Sequence, residues 1–328
     1  MSLEELIKQR IREHGAISVA EYMELALAHP EYGYYMQRDP LGAGGDFTTA
    51  PEISQVFGEI IGVWLAHQWQ VIDAPQEAAL VELGAGRGTL MADILRATKN
   101  VKGFHDAVSV HLVEISPALK QKQWKTLAGK HPRIEWHESI DTLPELPLLL
   151  IANEFFDTLP IRQFIGDDER MVELDDNGDL CFSAAGKIRE TCEPAISITK
   201  EIAQHIAQHG GGALIIDYGY MNGEQGDTLQ AMKNHAYHPV LADAGNADIT
   251  AHVDFLALAR AAQEAGAIAH DIVPQGAFLM RLGAGERTTK LCEISNHAQQ
   301  KSLIAGLKRL ASPEEMGELF KVLPLLRK

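Results

Sequence analysis

A glycine-rich turn carries the clearest chemical signal in the sequence. An apolar strand pattern at 79–83 is followed by Gly84, Gly86 and Gly88, and a helical pattern begins at Thr89. Glycines let the backbone approach a ligand closely, and the first turn of a helix presents free N–H groups. The turn therefore predicts a nucleotide-type cofactor, and the alternative is a plain strand–helix connection.

Two acidic residues near this turn favour a cationic cofactor. A dinucleotide typically requires G-x-G-x-x-G, but the spacing here is G-x-G-x-G and Thr89 stands at the third glycine. Glu82 would repel a pyrophosphate and would complement the sulfonium and ammonium groups of S-adenosylmethionine. Glu114 ends the next strand, where a carboxylate can accept hydrogen bonds from ribose hydroxyls. We therefore predict S-adenosylmethionine as cofactor, with further contacts from Ser139, Ile140 and Asn153.

The elements that position these residues alternate between strands and helices. Strands are predicted at 79–83, 108–113, 134–137, 148–152 and 213–216. This pattern predicts an α/β fold with a doubly wound parallel sheet and helices on both faces. Turn clusters at 166–195 indicate an antiparallel hairpin insertion, 220–250 resembles a long loop, and a final helix is predicted from Ser312.

The predicted organisation follows from these elements. An N-terminal helical cap with a lid loop takes residues 1–60, and the cofactor-binding α/β core takes 61–285. Insertions interrupt the core at about 166–195 and 220–250, and a C-terminal helical extension takes 286–328.

Composition excludes several classes of protein. The 328 residues carry a net charge of −16, which disfavours a general nucleic-acid binder. Three cysteines without a CxxC motif argue against a disulfide framework or a structural zinc site. His205 and His209 lack a third ligand, so no metal is predicted. The absence of a secretory signal or an apolar run of membrane-spanning length predicts a cytoplasmic protein.

Further motifs occur in order along nearly the whole chain. They are PEYGYY at 30–35, GDFTTAPEIS at 45–54, VELGAGRG at 81–88, ANEFFDTLP at 152–160, IDYG at 216–219, DITAHVDF at 248–255 and MGELFK at 316–321. Together they resemble the MidA-like family of methyltransferases, which includes a mitochondrial complex I assembly factor that methylates an arginine. The resemblance implies a class I methyltransferase (Rossmann-like) fold. It also implies an arginine acceptor on a partner protein, in the setting of respiratory complex I assembly.

The resemblance also implies roles for acidic residues. Methylation of a guanidinium needs carboxylates that bind the cation and accept its proton, and Glu154 and Asp157 follow the strongest strand. Asp157 could instead cap a following helix. The second carboxylate stays open among Asp157, Glu52, Asp46 and Asp217. The remaining residues expected at the substrate or in the lid are Phe47, Thr48 and Tyr218.

Two other functions remain open at the level of sequence. The chain could methylate a small molecule, with 220–250 shaping the pocket. It could also be a non-catalytic assembly factor that binds S-adenosylmethionine. Neither of these two functions involves nucleic acid or membrane insertion. The sequence does not reveal an oligomeric state.

Overall fold

The computed structural model describes residues 1–37, 49–223 and 226–328. Its helices are α1 Leu3–His14, α2 Val19–Ala28, α3 Tyr34–Gln37, α4 Ala50–Ile53, α5 Gln55–Val71, α6 Thr89–Thr98, α7 Phe104–Ala107, α8 Pro117–Leu127, α9 Glu193–His209, α10 Phe255–Glu264, α11 Gln275–Arg281, α12 Ala284–Glu293, α13 His297–Ala311 and α14 Met316–Leu319. None of these helices combines the length and apolar character needed to span a bilayer.

The strands are mostly short outside the centre of the molecule. They are β1 Ile17–Ser18, β2 Ala78–Leu83, β3 Val108–Val113, β4 Ile134–His137, β5 Leu148–Asn153, β6 Arg162–Ile165, β7 Asp168–Glu169, β8 Met171–Leu174, β9 Leu180–Phe182, β10 Ile188–Thr191, β11 Gly211–Tyr220, β12 Gln230–Lys233, β13 Ala236–His238, β14 Asp248–Thr250, β15 Val253–Asp254, β16 Ile268–Ala269, β17 Val273–Pro274 and β18 Phe320–Leu326. Two 3₁₀ turns lie at Ile140–Thr142 and Phe156–Thr158.

A twisted sheet in the order β4–β3–β2–β5–β11–β18 forms the centre of the molecule. The first five strands are parallel, and β18 pairs with β11 in the antiparallel direction. Neighbouring residues of one strand enter different cores: Leu149 packs toward α5 and α6, and Leu150 packs toward α9 and α10. Burial on both faces explains the unbroken apolar runs of these strands. The predicted doubly wound α/β fold is confirmed.

The N-terminal helices pack on the insertions rather than on the central sheet. Ile17 of β1 pairs with Val172 of β8, and Lys8 Nζ lies 3.0 Å from Asp179 Oδ1. Residues of α1 and α2 share a third apolar core with Val172 and Ile249. We call α1, α2, β8, β9 and β12–β14 the cap. The predicted hairpin insertion is present as β8 paired with β9.

The expectation of a long loop at 220–250 is wrong for the part that the structure describes. Strands β12, β13 and β14 form a three-stranded antiparallel sheet there. Ala231 and Ile249 are buried in the apolar core of the cap. Each strand has only three or four residues, which is too short to show a clear alternation of apolar and polar side chains.

The expectation of a helix from Ser312 to the end of the sequence is also wrong. A turn in which Gly317 N donates to Ser312 O leads into the short helix α14 and then into β18. Val322 and Leu323 of β18 enter opposite faces of the central sheet. The partner strand β11 lies far earlier in the chain, so local patterns could not reveal this pairing.

Candidate functional site

A cavity of about 370 Å³ lies at the carboxyl ends of β2, β3 and β5, beneath α2 of the cap. Open parallel sheets bind their ligands at this edge. Most of the residues singled out from the sequence line this cavity; they are Glu52, Glu82, Gly84, Gly86, Glu114, Asn153, Glu154, Asp157 and Tyr218.

Other expected residues do not line the cavity. Ser139 and Ile140 are absent from its wall, and the preceding Glu138 takes that place. Asp217 lies fully buried behind the wall rather than in it. The expected lid residues Asp46, Phe47 and Thr48 lie outside the described part of the chain.

The glycine turn has the geometry of a close-approach site. Gly84 has φ +62° and Gly86 has φ +51°, in the left-handed region that favours glycine. A Cβ on Gly84 would stand 2.8 Å from Cδ2 of Phe155, so a side chain is also excluded by contact. Helix α6 begins after Gly88 without a side-chain cap, and in its first turn the backbone of Met91 hydrogen-bonds to the Glu82 carboxyl group.

Glu82 presents a partly unsatisfied carboxyl group to the cavity. Its side chain is buried, and Oε2 has no hydrogen-bond partner among the described residues. Burial, with a smaller contribution from Glu114, raises the pKa of Glu82 to about 8, and a hydrogen bond from the backbone of Met91 opposes the rise. A buried carboxylate oxygen without a partner is costly, and a cation placed beside it would stabilise the ionised form of Glu82.

Glu114 is held in place by its own neighbours. Its Oε1 accepts a hydrogen bond from Ser116 N at 2.9 Å, and its Oε2 accepts one from Gln123 Nε2 at 2.9 Å. Gln123 Nε2 also donates to the carbonyl oxygen of Gly86 at 3.0 Å. Burial raises the pKa of Glu114, and these two donors oppose the rise. Gln123 thus ties the glycine turn to Glu114, a role that the sequence pattern did not reveal.

The end of β5 presents a second acidic group in an unusual backbone conformation. Glu154 has φ +49°, which is uncommon for a residue with a side chain. Its Oε1 accepts hydrogen bonds from Ala50 N at 2.8 Å and from Asn153 Nδ2 at 3.0 Å. Burial, and then the nearby Asp157, raise the pKa of Glu154 to about 7. Asn153 Oδ1 has no partner among the described residues.

Asp217 clamps the backbone that follows Glu154. Its Oδ2 accepts from Phe155 N at 3.1 Å, Phe156 N at 3.0 Å and Asp157 N at 3.2 Å. Oδ1 accepts from Tyr218 N at 3.0 Å. Burial, Asp157 and Glu154 raise the pKa of Asp217, and the backbone donors oppose that rise. Because these donors engage both oxygens and the side chain is fully buried, Asp217 positions the acidic turn and does not line the cavity.

Asp157 lies within this turn and faces the cavity. No α-helix follows it, so it does not act as the helix cap considered above; it sits inside a 3₁₀ turn. Its Oδ1 has no partner among the described residues, and the Tyr218 hydroxyl hydrogen-bonds to its carboxyl group. Burial raises the pKa of Asp157 to about 6.

Sequence reasoning missed the pairing of two residues in the cavity wall, Tyr35 of α3 and Asp248 of β14. Tyr35 OH donates to Asp248 Oδ1 at 2.9 Å. Glu52, which the sequence did indicate, accepts from Thr89 Oγ1 at 2.5 Å and so links α4 to the start of α6. Tyr35 and Asp248 stand in two of the motifs quoted above, and that was the only available signal. Their pairing is non-local, so spacing gave no indication of it.

Comparison with known proteins decides the family. A family described as S-adenosyl-L-methionine-dependent methyltransferases matches residues 60–187 and 180–273. A relative from Danio rerio is 37% identical, over 98% of this chain and 86% of its own length. A relative from Homo sapiens is 36% identical, over 97% of this chain and 81% of its own. Both are named "Protein arginine methyltransferase NDUFAF7, mitochondrial". The chain belongs to this methyltransferase family.

A solved structure supports the cofactor of this methyltransferase. A superfamily member from Burkholderia thailandensis, solved with bound S-adenosyl-homocysteine, is 28% identical with a TM-score of 0.83. The alignment covers 99% of this chain and 92% of that one. The residues of this cavity fit the cofactor, because the unpartnered Oε2 of Glu82 matches a cation and the glycine turn admits close approach. The protein is an S-adenosylmethionine-dependent methyltransferase.

The comparisons also correct one expectation. The prediction of a cytoplasmic protein is wrong, because the curated relatives are named mitochondrial. The prediction rested on the absence of a secretory signal and of an apolar run of membrane-spanning length, and neither absence identifies a compartment.

Proposed function

We propose that this methyltransferase transfers the methyl group to an arginine side chain of a partner protein. The observation that carries the proposal is the pairing of Glu154 and Asp157 in the same cavity as the glycine turn and Glu82. An acidic pocket of this kind suits a cationic acceptor. The names of the relatives, protein arginine methyltransferases, support the same acceptor class.

The glycine-turn half of the cavity would hold the cofactor. S-adenosylmethionine supplies a methyl group on a sulfonium when it is bound. In our proposal Glu82 binds the ammonium group, Gly84 and Gly86 contact the cofactor through their backbone, and Glu114 accepts from the ribose hydroxyls. Asn153 offers an unpartnered Oδ1 as a further acceptor at the boundary between the halves.

The β5 half would bind the guanidinium. An arginine side chain stays protonated in water near neutral pH, so it gives up one proton for each methyl group that it gains. Glu154 and Asp157 would fix its orientation, and one of them would accept that proton. The pKa of Glu154, raised to about 7 by burial, suits a general base that works near neutral pH. Glu52 and Tyr218 line the same wall and would border the acceptor.

The partner would be a folded or assembling protein that presents an arginine. The family resemblance points to a subunit of respiratory complex I as the setting. An acidic cavity attracts a basic side chain and repels acidic competitors, which favours recognition by charge.

Methyl transfer from radiolabelled S-adenosylmethionine into cell lysate tests this proposal. The expected result is label on a protein band, with methylarginine recovered after hydrolysis. Glu154→Gln keeps the size of the side chain and removes its charge. We expect it to lower methylation by about 100-fold, the lower end of the range for loss of a general base, while S-adenosyl-homocysteine still binds in calorimetry.

Asp271→Asn is the matched control, because Asp271 is exposed between β16 and β17, away from the cavity wall. It should methylate like the unchanged protein. Label found only in small molecules would overturn the acceptor assignment. Undiminished methylation by Glu154→Gln would overturn the role of that residue.

A further inference from the structure

Two histidines and a glutamate form a cluster away from the cavity. His111 of β3 stands in register with Glu135 of β4, and His137 lies two residues further along β4. Residues in register, and residues two apart on one strand, project from the same face of a sheet. One ligand atom from each of the three residues lies within 4.8 Å of the others. None of the three lines the cavity.

The hydrogen bonds around His137 define its tautomer. Thr142 Oγ1 donates to Ser139 O at 3.1 Å, so it must accept the hydrogen of His137 Nδ1, 2.8 Å away. A neutral imidazole carries a single N–H, so Nε2 of His137 holds a lone pair. That nitrogen lies 2.9 Å from Nδ1 of His111. The lone pair therefore points into the cluster.

His111 has the matching arrangement. Its Nε2 lies 2.8 Å from Ser109 Oγ, which can accept a hydrogen bond. A shift of the ring proton from Nδ1 to Nε2 would place the hydrogen on Ser109 and leave a second lone pair facing His137. Metal-binding histidines generally donate their other N–H in this way, which fixes the ring and its tautomer.

We propose that His111 Nδ1, His137 Nε2 and the Glu135 carboxylate form a binding site for zinc or a similar divalent transition metal. Two histidines and a carboxylate are a common zinc ligand set, and water would complete a tetrahedron. Tetrahedral zinc separates two nitrogen ligands by about 3.4 Å, since each bond is about 2.0–2.1 Å long. His111 Nδ1 and His137 Nε2 lie 2.9 Å apart, so the two nitrogens would have to move apart by about half an ångström to bind the ion.

The accessibility of the cluster favours the same site. His111 is buried and Glu135 is exposed, so an ion would enter past the carboxylate. The bound ion would link the edge strand β4 to β3, close to Glu114. It would stabilise the fold and would take no part in methyl transfer.

Calorimetric titration of the chelator-treated full chain with zinc chloride tests this site. The expected result is one zinc ion per chain and a rise in Tm. His137→Gln should weaken binding by about tenfold or more. Thr142→Ala, which removes only the acceptor of His137 Nδ1–H, should weaken it by about tenfold because such supporting contacts contribute 10–100-fold. Thr142 is exposed, so this variant should fold.

His209→Gln is the control, since it removes a histidine from another close pair, His205 and His209, and should bind zinc like the unchanged protein. No saturable binding, or equal binding by His137→Gln and the unchanged protein, would overturn the proposal. S-adenosyl-homocysteine binding measured on the same samples reports the fold and the cofactor site, so the two proposals fail separately.

Discussion

In the half of the cavity at the ends of β2 and β3 a side-chain amide links the parts of the site, whereas in the half at the ends of β5 and β11 a buried carboxylate clamps the backbone. In the first half Gln123 joins Glu114 to the glycine turn. In the second half Asp217 accepts from three successive backbone N–H groups and so fixes the turn that carries Asp157. The first half is thus linked by one side chain, and the second half is held through its backbone.

This difference suits the two proposed ligands. A methyl acceptor must be held at a well-defined distance and angle, because positioning supplies a large part of the rate of a displacement reaction. A cofactor that is exchanged after every turnover needs a site that it can leave. Variants that alter one half and spare the other can test this division.

Asp217→Asn should have the largest effect and should fall on the acceptor half. The amide replaces an acceptor by a donor that faces backbone N–H groups, which costs about 1–3 kcal/mol of the free energy of unfolding. A turn displaced by about 1 Å can lower methyl transfer by about 100-fold. Denaturant unfolding and radiolabel transfer measure the two effects. If S-adenosyl-homocysteine binding weakens as much as methyl transfer does, the two halves of the cavity do not act separately.

The pH dependence of stability should separate Glu82 from Glu154. The pKa of Glu82 is raised from 4.5 to about 8 and that of Glu154 from 4.5 to about 7, so the folded protein binds protons that the unfolded chain has released. The ligand-free protein should therefore lose stability as pH rises from about 5 to 8. Each group contributes at most about 1.4 kcal/mol per pH unit.

Denaturant unfolding at several pH values checks this expectation. Glu82→Gln should flatten the slope up to pH about 8, and Glu154→Gln should flatten it only up to about 7. If the slope is unchanged in Glu82→Gln, the Glu82 carboxyl group is either exposed or fully hydrogen-bonded in solution.

Gly84→Ala tests the contact that joins the two halves, and we expect the smallest effect here. Gly84 and Gly166 share φ +62°, but a Cβ on Gly166 would meet nothing within 4 Å, whereas on Gly84 it would meet Phe155. Both alanine variants carry the same type of backbone strain. The extra cost in Gly84→Ala, about 1–3 kcal/mol from overpacking, measures the contact with Phe155. Equal unfolding free energies for the two variants would show that the halves are not in contact.

The same division explains what the sequence could predict. Glu82, the glycine turn and the start of α6 are consecutive in the chain, so their spacing alone indicated a strand–turn–helix ligand site. Helix caps such as Ser18 on α2 and Asp254 on α10 are also local features, because a cap bonds only to its neighbours. The parallel direction of the central strands followed from their alternation with helices.

The acceptor half could not be predicted in this way. Asp217 looked like a second carboxylate for the substrate, because nothing local shows that its oxygens meet the backbone of 155–157. The pairing of Tyr35 with Asp248 likewise joins distant parts of the chain. The left-handed backbone of Glu154 is fixed by surrounding contacts, since glutamate has no preference for that conformation.

Strand β18 has a consequence for how the chain folds. It supplies residues to both faces of the sheet and pairs along its length with β11. Such long-range pairing must wait until a large loop has closed, and contacts of high sequence separation slow folding. Until β18 docks, one side of β11 exposes unpaired backbone and apolar side chains, which makes the intermediate prone to aggregation. The strand that lies farthest from the glycine turn in sequence thus completes the pairing of β11, the strand that carries Asp217 and Tyr218.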